Sequence, residues 1–92
     1  MVITIEDANA EKQFLELPSL HDEAVIEVLS EAVTRTPGGI VGFWVPLAAD
    51  AERYLNGLRE TAPHVEYLDR ASKTLRDGSS WIWVRLRHRA NA

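Results

Sequence analysis

The chain opens on Val2-Ile3-Thr4-Ile5, a run rich in β-branched residues that reads as a short strand. Residues 6–11 are polar and form a turn. In residues 12–17 the alternation of Phe14 against Leu15 and Leu17 fits a second strand paired with the first. A short helix capped by Asn9 is the competing reading, and we take the strand. Residues 20–35 then change period. Leu20, Ala24, Val25, Val28, Leu29, Ala32 and Val33 recur at three- and four-residue spacing, which makes one buried helical stripe. Ser19 is the expected N-cap, and Asp22 and Glu23 suit the positive end of the helix dipole. Thr36-Pro37-Gly38-Gly39 ends it.

Ile40-Val41-Gly42-Phe43-Trp44-Val45 is apolar on both faces and reads as a central strand with Trp44 buried, closed by Pro46. A second helix follows, with Asp50 as its cap and Ala51, Tyr54, Leu55 and Leu58 on its inner side. Asn56-Gly57 weakens its last turn, and Pro63 prevents continuation. Residues 64–88 form a long hairpin around Arg76-Asp77-Gly78-Ser79. The order is β(β)αβαββ. Each strand run has an apolar face and each helix an apolar stripe, so the two must stack. The expected fold is an α/β (α+β) two-layer sandwich, two helices on a mixed sheet of four or five strands. It is one domain over residues 1–92, with 90–92 frayed. The order of elements resembles small ferredoxin-like or thioredoxin-like domains, a likeness of order that carries no function.

The chain has no cysteine, which removes disulfides, thiol nucleophiles and cysteine-based metal centres. The first residues lack a basic segment followed by a long apolar one, and the longest nearly apolar run, 40–49, is half a membrane span. The expected location is the cytoplasm, away from membranes. Net charge is −4, but its distribution is uneven. Residues 1–69 hold four basic and thirteen acidic side chains, a net of −9, whereas residues 70–92 hold six basic ones and Asp77 alone, a net of +5.

The last strand concentrates this asymmetry. Alternation puts Ile82, Val84 and Leu86 on a core face and Trp81, Trp83, Arg85, Arg87 and Arg89 on the other. Trp and Arg are enriched at binding hot spots, and single-stranded nucleic acid also uses indoles for stacking and arginines for phosphate. A purely structural reading competes, in which acidic neighbours satisfy the arginines. A two-residue turn would set Arg70 opposite Arg85 and Glu66 opposite Arg89. A three-residue loop would set Asp69 opposite Arg87 and Tyr67 opposite Arg89.

No catalytic or cofactor motif is complete. His21, His64 and His88 fall in three separate elements without metal-ligand spacing. His21 reads as solvated, His64 as a loop residue, and His88 as a partly buried, hydrogen-bonded imidazole. Glu23, Glu27 and Glu31 line one helix side as a solvated face. Pro37-Gly38-Gly39 joins a helix to a strand, the reverse of a phosphate-binding loop. Ser79-Ser80 lacks a nucleophile elbow. The leading expectation is therefore a small non-catalytic protein that docks a protein partner through Trp81, Trp83, Arg85, Arg87 and Arg89. In size and charge it is similar to immunity proteins, antitoxins and other inhibitors. The alternative is a single-stranded nucleic-acid binder using the same hairpin. A third is a small-ligand enzyme or sensor in which Arg53, Tyr54, Trp44 and His88 converge. Homo-oligomerisation stays open, and no cofactor or metal is expected.

Overall fold

Alternation and helical periodicity produce seven elements in the order expected. A computed structural model of the chain describes residues 1–7, 9, 11–16 and 21–89. The strands are β1 (Val2–Glu6), β2 (Lys12–Glu16), β3 (Ile40–Val45), β4 (Val65–Thr74) and β5 (Ser80–His88); the helices are α1 (Asp22–Arg35) and α2 (Ala48–Thr61). The sheet runs β2-β1-β3-β5-β4. All four ladders are antiparallel, so the sheet is not mixed. The two-layer α+β sandwich stands.

One face of the sheet is the core. Ile3, Phe43 and Val84 lie in one cross-strand row, and Val41 and Leu86 in the next. They pack with Val25, Leu29 and Val33 of α1 and with Ala51, Tyr54, Leu55 and Leu58 of α2. Both helical stripes thus cover the same side. Phe43 meets Tyr54 edge to face, with centroids 6.2 Å apart.

The helix starts differ from expectation. The N-cap of α1 is His21, whose Nδ1 accepts the Ala24 N–H at 3.3 Å. Ser19, Leu20 and Leu17 lie outside the described residues, as do 90–92. An imidazole nitrogen substitutes for the expected hydroxyl, which gives His21 a structural task. Leu47 caps α2 without a side-chain bond; Asp50 sits inside the first turn and pairs with Arg53 at 2.9 Å. Asn56-Gly57 does not end the helix, which runs on to Thr61. Tertiary packing of Leu55 and Leu58 outweighs the cost of about 1 kcal/mol for a helical glycine.

The β4–β5 hairpin fits neither anticipated register. Leu75 donates to Ser79 at 2.8 Å and Gly78 to Leu75 at 3.0 Å, closing a three-residue loop with Gly78 at φ 87°. Such loops place a left-handed residue last, where glycine has no side-chain penalty. The Asp77 carboxylate accepts from Ser79 N (2.9 Å) and Oγ (2.6 Å), which holds its pKa below the ordinary range. Thr74 then faces Ser80 and Asp69 faces Arg85, until a bulge between Tyr67 and Asp69 resets the ladder so that Glu66 faces Arg87. The bulge could not be read from turn chemistry alone.

Candidate functional site

The other face of the sheet has no helix on it. Because opposed residues share a face, the registers define its rows. Phe14, Thr4, Gly42, Arg85 and Asp69 form one row, and Glu16, Val2, Trp44, Trp83 and Ala71 the next. Trp81 stands opposite Lys73, and Arg87 opposite Glu66. Trp81, Trp83, Arg85 and Arg87 therefore share this face, as alternation demanded.

Trp83 is its centre. Its ring stacks on that of Trp44, with centroids 5.4 Å apart and planes 17° from parallel. The Arg85 guanidinium carbon lies 5.7 Å from the Trp83 centroid on a cation–π contact. Gly42 permits this: a Cβ there would lie 2.5 Å from Trp83 Nε1 and 2.6 Å from Thr4 Oγ1. The Trp83 N–H is thereby shielded from water, and among the described residues it donates to no acceptor. Trp81 Nε1 donates to Ser79 Oγ at 3.1 Å. Trp44, contrary to expectation, is not core. The strand is apolar on both faces, yet only one face is covered, so all three indoles stay half-buried rather than enclosed.

Two recesses of about 260 Å³ each flank the stack, one of them wholly apolar. Val2, Phe14, Trp44, Leu75 and Trp81 line one, and in the other Phe14, Ile40, Trp44 and Trp83 are joined by Thr4, Glu6, Lys12 and Arg85. Phe14 is 68% exposed, which marks it as an apolar side chain still in water. Sequence reading missed Phe14, Val2 and Leu75, and set Trp44 in the core or in a ligand pocket rather than on this face. The available signal was the second apolar parity of β1, β2 and β3.

The arginines are not free. Arg85 holds Asp69 bidentately, through Nε to Oδ1 at 2.7 Å and Nη2 to Oδ2. Arg87 Nε donates to Glu66 Oε2 at 2.8 Å. Arg70 pairs with Glu52 of α2. Folding thus joins the basic end of the chain to the acidic remainder. By the strand registers this face carries Lys12, Lys73, Arg85 and Arg87 against Glu6, Glu16, Glu66 and Asp69, a balance of charge. Arg89, just past β5, donates its Nε to the Pro63 carbonyl at 3.1 Å, which fastens it to the turn before β4.

The hydrogen bonds from Arg85 and Arg87 hold the Asp69 and Glu66 carboxyls below their ordinary pKa. A depressed carboxylate stabilises the fold above its unfolded pKa and loses that effect as pH falls through the folded value. Asp69→Asn is therefore expected to lower the melting temperature slightly near neutrality and not at all well below about pH 4. Melting curves of both proteins across that window provide the check. A difference that persists in acid would mean the effect is not ionic.

The remaining candidates are structural. His64 Nε2 lies 2.8 Å from Thr34 Oγ1 and 3.3 Å from the Ser30 carbonyl, tying the turn before β4 to α1. Its ring lies 5.4 Å from that of His88, which is half-buried and bonded to the Arg89 carbonyl. Glu23, Glu27 and Glu31 are exposed, and Glu31 pairs with Arg35 at 2.5 Å. No cluster of potential metal ligands occurs among the described residues. The convergence required of a ligand site fails, because Trp44 lies across the sheet from the core residue Tyr54 and Arg53 is engaged by Asp22 and Asp50. Among the described residues no helix is long and apolar enough to cross a membrane. Compared with known protein families, curated proteins and solved structures, the chain matches none.

Proposed function

We propose that this chain is a protein-binding module that docks a partner on the uncovered face of its sheet. The observation that carries this reading is the half-buried Trp44–Trp83 stack on the uncovered face, with Trp81 and the exposed Phe14 beside it. An antiparallel sheet tolerates one wet face when that face is polar. Here its middle is aromatic, and a contiguous apolar patch with a polar rim is the usual mark of an interaction surface. The partner's chemistry follows from the face. It offers apolar side chains to the two recesses and a rim of both charge signs, because Arg85 and Arg87 already hold carboxylates. A polyanion gains little here, since counterion release needs cations free to meet phosphate.

The test begins with acrylamide quenching of the indoles, alone and with a single-stranded oligonucleotide at low and moderate salt. Accessible indoles that ignore the oligonucleotide support the reading. A purified partner recovered by cross-linking should then lose at least about tenfold in affinity with Trp44→Ser/Trp81→Ser, in keeping with the weight of tryptophan at hot spots. Oligonucleotide quenching that fades with salt would replace this reading with nucleic-acid binding. Unaltered partner affinity in the double variant would remove the aromatic face from the interface.

A further inference from the structure

The two edges of the sheet are unlike. The edge strand β4 carries a bulge beside Asp69, and bulges and charges discourage pairing with another chain. The opposite edge, β2, runs in unbroken register with β1, with Val2 opposite Glu16 through to Glu6 opposite Lys12. All five of its residues are exposed. Phe14 on the uncovered face and Leu15 on the helix side are 68% and 43% exposed, so both sides of the strand leave apolar area in water. Among the described residues nothing pairs with its outer edge.

We propose that β2 pairs with β2 of a second copy of this chain, antiparallel and centred on Phe14, so that two five-stranded sheets join into one. Symmetry and charge select the occupant. A two-fold axis through an antiparallel edge pair sets one residue opposite its own counterpart. Lys12-Gln13-Phe14-Leu15-Glu16 has Phe14 at its midpoint. Centred there, all five residues pair, and Lys12 of each copy faces Glu16 of the other. Centred on Gln13 or Leu15, a charge faces Phe14 instead. Neither Lys12 nor Glu16 has an ion-pair partner among the described residues. The ladder adds about 17 Å of backbone hydrogen bonding, and Phe14 meets Phe14 across the axis. The two uncovered aromatic faces then lie on the same side of a continuous sheet, so a dimer presents the proposed binding surface twice.

Sedimentation equilibrium of the full chain tests this with Lys12→Glu, Glu16→Lys and the double variant. By symmetry each single reversal creates two like-charge pairs, and the dimer is expected to weaken roughly tenfold. The double reversal restores opposite pairs and should return the dimer constant to near its original value. Within one chain Lys12 faces Glu6, which both Lys12→Glu proteins disturb alike, so recovery reports the contact between copies alone. Amide exchange over residues 12–16 should also slow as wild-type concentration rises. A wild-type monomer at about 1 mM, the weak end of specific association, overturns the proposal, as does a double variant no better than the singles. Either failure leaves the partner-binding reading standing, because Trp44, Trp81, Trp83 and Phe14 share the uncovered face in a monomer as well.

Discussion

Replacing Phe43 with Ala is expected to lower the stability of this domain by about 3–5 kcal/mol, the usual range for a buried phenylalanine. The reason is position. Phe43 is fully buried in the middle strand, between Ile3 of β1 and Val84 of β5, with Tyr54 of α2 against its ring. Truncation leaves a cavity at the meeting point of three strands and a helix. Net stabilities run to about 5–15 kcal/mol, so at least about a fifth of the total would be lost. In urea the midpoint should fall by at least about 1 M. The neighbouring Trp44→Ala is the internal control. Its side chain points to the other face, and its removal forfeits a ring stack of about 0.5–1.5 kcal/mol along with partly exposed area. Equal losses at the two positions would contradict the assignment of one covered and one open face.

Gly42→Ala should also destabilise, by about 1–3 kcal/mol, although the backbone alone argues the reverse. A glycine inside a regular element costs roughly 0.5–1 kcal/mol relative to alanine, through the freedom it loses on folding. On that ground the substitution would help. At this position the new methyl would sit 2.5 Å from Trp83 Nε1 and 2.6 Å from Thr4 Oγ1, closer than atoms tolerate. Trp83 cannot simply lift away, because Trp44 stacks against it and Arg85 flanks it. Overpacking of this kind typically costs about 1–3 kcal/mol. The same displacement should break the Trp44–Trp83 stack, so the near-ultraviolet circular dichroism of the coupled indoles should weaken. A stabilised variant with an unchanged spectrum would mean that Trp83 does not rest on Gly42.

This pair of adjacent residues also shows what was legible in the chain. Alternation in β5 separated Ile82, Val84 and Leu86 from Trp81, Trp83, Arg85 and Arg87, and the sheet keeps that division. The same rule applied to β3 separates Phe43 from Gly42 and Trp44. It could not say that only one side would be covered, because coverage depends on where two helices settle. Trp44 was thus expected in the core, and Phe14 was not recognised as part of the site.

Local physics determined the elements. Period-two and period-3.6 patterns need only near neighbours, so the order of strands and helices, the inner stripes of α1 and α2 and the glycine turn of the hairpin could all be read directly. The tertiary structure decided everything that compares distant segments. The strand order β2-β1-β3-β5-β4, the bulge beside Asp69 and the uncovered face arise from packing among residues far apart in the chain. So does the fate of the arginines. Sequence counts a basic end and an acidic remainder, and folding sets Arg85 against Asp69, Arg87 against Glu66 and Arg70 against Glu52. Charge is a property of each residue, whereas the field at a surface depends on which charges the fold brings within a few ångströms. A row of guanidinium groups legible in the chain therefore became a neutral rim around three indoles.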